Sequence, residues 1–151
     1  MLTIEKIYPL TDIQTGIFFE ASRSNYANSI YISQMVFSIE DEIEIALFLD
    51  AFSVVVKRHE ALRSGVIFNR EIQSFVQCIY TDIQIPNVFY DWTEMREEER
   101  SISFDSFLKK DINNNFDLKK PPLMRLAFFK FHSKKYYIVW TRHHILMSGA
   151  S

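Results

Sequence analysis

The longest hydrophobic periodicity in the chain runs from Ile43 to Leu62 and is followed by Gly65. Apolar residues recur there at intervals of three and four positions, which predicts an amphipathic helix with one face against a core. The glycine marks the end of this helix. The predicted core-facing stripe consists of Ile43, Leu47, Ala51, Val54, Val55 and Leu62.

Two other segments have helical signals. Thr11 and Gln14 form a capping-box signature, which predicts a helix from about residue 12 to 22. An acidic stretch that opens at Asp91 predicts a helix to about Asn113, with glutamates near its start and lysines near its end, as the helix dipole favours.

The remaining patterns predict strands. Residues 30–39 are rich in β-branched and aromatic side chains, and residues 66–68 and 74–80 read as a pair around a polar turn. The aromatic runs 123–131 and 136–140 flank a polar tetrapeptide and predict a hairpin. We therefore expect an α/β protein of the α+β two-layer sandwich type, with a mixed β-sheet and helices packed on it.

Composition narrows the class of protein. The chain has 151 residues, of which 48% are hydrophobic, enough for one globular domain with a sizeable core. A formal net charge of -2 gives no reason to expect nucleic acid or an anionic membrane as a partner. The single cysteine, Cys78, lies in a predicted strand and is expected to be a buried thiol, and the absence of disulfides favours a cytoplasmic location.

Four segments resemble, in order, the motifs of the condensation domains of nonribosomal peptide synthetases. Together they span nearly the whole chain, and their joint occurrence is far more specific than any one of them. They are Y-P-L-T-D-I-Q-T-G at residues 8–16, R-H-E-A-L-R at 58–63, P-L-M-R at 122–125 and H-H-I-L-M-S-G at 143–149. The last is similar to the family's H-H-x-x-x-D-G active-site motif with one substitution.

This resemblance implies a chloramphenicol-acetyltransferase-like subdomain. A complete condensation domain has two such halves with the active site in a tunnel between them, so residues 1–151 would be the N-terminal half, ending just after the histidine motif. The complete domain forms an amide bond between acyl and aminoacyl thioesters in the biosynthesis of antibiotics and other secondary metabolites. The substrates are carried on phosphopantetheine arms, and no cofactor binds directly. The implied partners are peptidyl and aminoacyl carrier proteins, the C-terminal half and the adjacent synthetase domains.

The resemblance also implies the site residues. His144, the second histidine of the motif, would orient the attacking amine or accept its proton, which suits a side chain that titrates near neutral pH. Gly149 would allow a close backbone approach to substrate. Strand alternation puts His143 in phase with Thr141 and on the opposite face from His144, so His143 is interpreted as structural. The motif arginines Arg63 and Arg125 are likewise taken as structural.

Ser148 stands where the family motif has aspartate. The resemblance implies a salt bridge from that aspartate to an arginine of the R-H-E-A-L-R segment, and we assign this arginine to Arg58. Serine cannot supply the charge, so a buried Arg58 would lose its counterion. Three explanations remain open: an engineered change, a natural inactive variant, or a rearrangement that pairs Arg58 with another acid. The fragment alone is expected to be inactive.

Two other functions compete with the donor-side half of a peptide-bond-forming domain. The chain could be an inactive fragment that retains only folding or carrier-protein docking, or a free-standing acyltransferase that completes its site between subunits. Epimerisation also remains open, whereas the His143–His144 pair argues against heterocyclisation. A metal site at His132, His143 and His144 is not expected, because these side chains do not converge.

Overall fold

The structure is a computed structural model that describes residues 2–147, with the backbone alone described at positions 25, 26 and 28. Four α-helices and seven β-strands occur in this part of the chain. In chain order they are β1 (Ile4–Pro9), α1 (Asp12–Arg23), α2 (Asn25–Ile30), β2 (Ile32–Ile39), α3 (Ile45–Arg58), a 3-10 turn (Glu60–Arg63), β3 (Ser64–Asn69), β4 (Ser74–Tyr80), β5 (Asn87–Asp91), α4 (Glu97–Ile112), β6 (Met124–His132) and β7 (Lys135–His143).

The strands form two sheets. The larger sheet has the order β2-β7-β6-β5, with β5 parallel to β6 and the other neighbours antiparallel. The smaller sheet has the order β1-β4-β3 and is antiparallel throughout. Because β7 is an inner strand, its last residue lies between β2 and the segment that enters β6. This position matters for the candidate site.

Helices cover both faces of the larger sheet. On one face Leu126, Phe128 and Ile138 pack against Phe48 and Phe52 of α3. On the other face the alternate residues of β6 and β7 pack against α4, through Ala127, Phe129, Val139, Phe104, Phe107 and Leu108. The predicted mixed sheet with packed helices is confirmed, and the second helical face adds a third layer to it.

Several predicted elements match the structure closely. α1 begins at Asp12, and the capping box forms as expected, because Gln14 N–H donates to Thr11 Oγ1 and Thr11 N–H donates to Gln14 Oε1. The predicted strand pairs are β3 with β4 and β6 with β7. Cys78 is fully buried, and this burial raises the pKa of its thiol.

The predicted stripe is wrong within α3, whereas its end members Ile43 and Leu62 lie outside this helix and do pack inward. Leu47 and Val54 are 66% and 65% exposed, whereas Phe48, Phe52 and Val56 face the sheets. Both sets have helical spacing, and the aromatic set faces inward because it fills more of the space above β6 and β7. The helix ends at Arg58, and residues 60–63 continue as a 3-10 turn.

The acidic helix also begins later than predicted. Residues up to Asp91 extend as β5, which pairs in parallel with β6, and α4 starts only at Glu97. The sequence analysis did not predict β1, β5 or α2. Each of these elements is short, and β1 and β5 are edge strands that gain their stability from a neighbouring strand.

None of the helices within residues 2–147 combines the length and apolar character that crossing a bilayer requires.

Gly65 provides a test of the packing between β3 and the segment that follows α4. A Cβ atom at residue 65 would lie 2.9 Å from Cδ and 3.2 Å from Cγ of Pro121. We predict that Gly65→Ala lowers the free energy of unfolding by about 1–3 kcal/mol, because the proline ring must shift. The measurement is the urea midpoint.

Gly16 is the matched control, because a Cβ atom there meets nothing within 4 Å and the residue lies in α1. Gly16→Ala should raise the stability by about 0.5–1 kcal/mol. Equal effects of the two substitutions would contradict the tight packing at Gly65.

Candidate active site

His143 is the last residue of β7 and is completely buried. Its backbone N–H donates to Leu123 O at 3.0 Å, which joins the end of β7 to the start of β6. Its Nδ1 accepts a hydrogen bond from Ile145 N–H at 3.2 Å, so the ring proton lies on Nε2. That Nε2 atom is buried and has no partner among residues 2–147.

Burial changes the titration of this histidine. Burial, and to a smaller extent the neighbouring charge of His144, lower the pKa of His143 to about 4. His143 is therefore neutral at physiological pH, and it holds the turn after β7 as an uncharged acceptor.

His144 begins that turn. Its backbone N–H donates to Tyr31 O at 2.7 Å, and Leu146 N–H donates back to His143 O at 3.2 Å. The side chain of His144 is half-buried, unlike that of His143. Since β7 ends at His143, strand alternation does not extend to His144, and the turn sets the direction of its side chain.

The turn is attached to the first motif. Gln14 Nε2 donates to Ile145 O at 3.4 Å, so the glutamine that caps α1 also contacts the histidine motif. Ile145 and Leu146 are buried in one cluster with residues of the other motifs, including Leu62 and Leu123. The four motifs, which are far apart in sequence, therefore meet around this turn.

A second contact joins the first two motifs. Glu60 of the R-H-E-A-L-R segment accepts hydrogen bonds from Lys6 and, at 3.0 Å, from Tyr8 OH. The hydrogen bond from Lys6 and that from Tyr8 lower the pKa of Glu60. The sequence analysis assigned no role to Tyr8 or Glu60, although both are motif residues.

The two arginines of this segment differ in environment. Arg58 is exposed at the end of α3. A solvated arginine does not need a counterion, so the expected loss of a buried ion pair at Arg58 does not apply. Arg63 is only 6% exposed and donates to Glu5 Oε2 at 2.8 Å and to Tyr80 O. The buried cation of the segment is thus Arg63, and a carboxylate of β1 already faces it.

Arg125 binds an acid that the sequence analysis missed. Its Nε donates to Asp111 Oδ1 at 2.7 Å, and its guanidinium also donates to the backbone oxygens of Asp111 and Asn114. The other oxygen of Asp111 accepts from Gln34 Nε2 at 2.8 Å and from Thr141 Oγ1. Asp111 therefore joins α4 to three strands. Its position among the polar residues at the end of a helix gave no signal for this.

Two predicted site residues, Ser148 and Gly149, lie outside the described residues. Among residues 2–147, no group of three or more histidine, cysteine, aspartate or glutamate side chains could hold a metal ion.

Comparison with known proteins identifies the family. The model of the family described as "Condensation domain" matches residues 4–151. The chain therefore belongs to the condensation-domain family.

Its curated relatives are large synthetases. It is 31% identical to tyrocidine synthase 2 of Brevibacillus parabrevis over 97% of this chain and 4% of the relative, and 32% identical to bacitracin synthase 1 of Bacillus licheniformis over 97% and 3%. The chain thus spans only a few per cent of the length of these relatives.

Solved structures share the fold. The starter condensation domain of rhizomide synthetase RzmA superimposes with a TM-score of 0.81 at 22% identity, over 97% of this chain and 34% of that one. The first condensation domain of the calcium-dependent antibiotic synthetase gives a TM-score of 0.78 at 14% identity, over 94% and 35%.

The Asp111–Arg125 pair supports a stability prediction. Asp111→Asn removes the only carboxylate that contacts Arg125 within residues 2–147, and the two side chains are 9% and 16% exposed. We expect a loss of about 3–5 kcal/mol in the free energy of unfolding, because the largely buried guanidinium of Arg125 loses its counterion. Chemical denaturation measures this loss.

The same chemical change in the exposed pair Arg96–Glu99 is the control. Glu99→Gln should change the stability by less than about 1 kcal/mol. A comparable loss in both variants would show that burial of Asp111 does not matter.

His143 predicts a pH dependence of stability. The pKa is about 4 when folded and about 6.5 when unfolded, so below pH 6.5 the unfolded chain binds a proton that the folded chain does not. The contribution of neutral His143 to the free energy of unfolding is therefore fully present above the unfolded pKa and is lost as the pH drops toward 4. Between pH 7 and pH 5 we expect a loss of about 2 kcal/mol, measured by urea unfolding.

His143→Gln should remove this part of the slope, whereas substitution of the exposed His132 by Gln should retain it. An unchanged slope in His143→Gln would rule out His143 as its source.

Proposed function

We propose that residues 1–151 form the N-terminal, donor-side part of a condensation domain whose complete form joins two carrier-bound thioesters through an amide bond. The observation that carries this proposal is the convergence of four separated motifs on the turn that presents His144. In this proposal His144 orients the amine of the acceptor or accepts its proton, since a half-buried imidazole remains accessible to substrate.

The hydrogen bonds of the turn after β7 support different roles for His143 and His144. The backbone of His144 is bound to Tyr31, and His143 is a neutral acceptor within the turn. A general base must be positioned within hydrogen-bonding reach of the proton that it accepts. His143 would then be a positioning residue, and Gly149 would allow a close backbone approach to substrate.

Exposed apolar side chains support the view that further polypeptide covers this chain. Ile13 is 75% exposed and Phe19 is 55% exposed on α1, and Leu47 and Val54 are exposed on α3. Single exposed apolar residues are ordinary, but several large ones on two helices support a region of contact with further polypeptide. The solved condensation domains, of which this chain spans about a third, are long enough to supply that cover.

Membership of the condensation-domain family supports a proposal for the partners and substrates. We propose that carrier proteins deliver phosphopantetheine thioesters, and that the C-terminal half and the neighbouring synthetase domains complete the assembly. Arg63, the buried arginine of the R-H-E-A-L-R segment, is already paired with Glu5, so residue 148 need not supply its counterion. A fragment that only folds or docks a carrier protein remains the second candidate, and the substitution of aspartate by Ser148 is the observation that favours it.

Reconstitution tests the proposal. The purified chain should be a folded monomer by light scattering, inactive alone, and active when the C-terminal half of its condensation domain is added. His144→Ala should reduce amide formation by about 10²–10⁴-fold, the usual contribution of a proton-transfer group. The product is measured by mass spectrometry with thioester substrates on carrier proteins.

His132→Ala, at the exposed end of the β6–β7 hairpin, is the control and should keep full activity. Ser148→Asp separates the two candidates: activity only in this variant would favour the inactive fragment. A stable trimer that transfers a soluble acyl thioester unaided would overturn the proposal in favour of a free-standing acyltransferase.

A further inference from the structure

Arg142, directly before the two histidines, is a buried cation whose side chain has no oxygen partner among residues 2–147. It is 6% exposed, and its Nε is buried with no hydrogen-bond partner among residues 2–147. Its only side-chain hydrogen bond in that part of the chain goes from Nη1 to the sulfur of Met35 at 3.1 Å. A thioether is a weak acceptor. Burial lowers the pKa of Arg142, but an arginine remains protonated in proteins.

Three other arginines that are buried or half-buried each have an oxygen partner. Arg63 and Arg125 each contact a carboxylate, and Arg100 donates to the backbone oxygen of Phe131. No carboxylate in residues 2–147 forms an ion pair with Arg142. A buried charge normally requires a partner, because desolvation without compensation costs several kcal/mol.

Trp140 supplies a second unpaired donor beside it. The guanidinium carbon of Arg142 lies 4.4 Å from the centre of the Trp140 ring. The indole Nε1 is buried and also has no acceptor among residues 2–147. Both groups can only donate hydrogen bonds, so the partner that suits them both is a hydrogen-bond acceptor.

An apolar cavity lies next to these two donors. Trp140 lines a cavity of about 410 Å³ between α3 and the edge strand β2, and seven of its eight lining residues are apolar. They are Phe37, Ile39, Phe48, Phe52, Leu126, Ile138 and Trp140. A ligand at Arg142 could therefore place an apolar part in this cavity.

We propose that Arg142 and Trp140 form a binding site for a carboxylate carried on an apolar group. The carboxylate could belong to the substrate of the candidate active site or to a side chain of polypeptide outside this chain. The chemistry is the same in both cases, and the experiments below distinguish them. Assignment to the substrate rests on the proposed function, whereas the existence of the site does not.

The first experiment uses this chain alone and needs no activity. Thermal unfolding is followed with hexanoate, which has a carboxylate and an apolar tail, and with hexanamide, its neutral analogue, at constant ionic strength. Hexanoate should raise Tm in a saturable manner at millimolar concentration, and hexanamide should not. Equal effects of the two compounds, or no saturable effect of hexanoate, would overturn the proposal without any variant.

Variants then locate the site. Arg142→Met should raise Tm of the ligand-free chain by at least about 2 °C, because an unpaired buried charge is removed, and should abolish the response to hexanoate. The matched control is Arg70→Met, at an exposed residue next to the end of β3, which should keep the response. An undiminished response in Arg142→Met would contradict the site.

The second experiment uses the complete condensation domain and identifies the source of the carboxylate. If the carboxylate is on the substrate, Arg142→Met should raise KM at least tenfold for a donor thioester with an adipyl group, which ends in a carboxylate. KM for the corresponding monoamide should stay constant. If it is on the polypeptide, Arg142→Met should lower Tm of the complete domain without discriminating between the donors. If the complete domain is active and Arg142→Met changes neither the KM for the adipyl donor nor Tm, the proposal is overturned.

Discussion

The buried ion pair between Asp111 and Arg125 is the interaction on which the arrangement of the larger sheet depends. Asp111 is near the end of α4, and its carboxylate is bound by side chains from β2, β6 and β7 at once. One charged group therefore fixes the position of a helix relative to three strands. Such a pair adds little net stability compared with apolar packing, but it penalises every alternative position in which the charge is left unpaired. Thr141, which donates a hydrogen bond to Asp111, is two residues from His143, so this polar network lies next to the end of β7.

The candidate site lies where this polar network gives way to apolar packing. Beyond Thr141, the chain enters the cluster formed by Ile145, Leu146 and the residues around them. His143 is buried at this boundary as a neutral acceptor, and its burial is tolerated because Nδ1 is bonded within the turn. The half-buried His144 follows immediately. The same packing that stabilises the turn thus presents one imidazole to solvent and withdraws its neighbour from it.

The sequence predicted the elements with strong local signals. The capping box of Thr11 and Gln14 and the β6–β7 hairpin depend on neighbouring residues, so local patterns were sufficient for them. The face of α3 was predicted incorrectly because Leu47 and Phe48 both fit a helical stripe, and only the space above the sheet selects Phe48. The pairing of Asp111 with Arg125, and of Arg63 with Glu5, had no local signal, because each joins residues that only the fold brings together.

By itself, the sequence determined the family, the order of the principal elements and the importance of the histidine segment, since the motifs are strings of residues that can be read without coordinates. The tertiary structure decided which arginine is buried, which histidine is accessible and which acid holds the sheet. It also showed that Arg142 and Trp140 have side-chain donors without acceptors in the part of the chain that the structure describes. These properties depend on burial and on distances between segments remote in sequence. They arise only when the chain packs, because desolvation acts on a group according to everything that surrounds it.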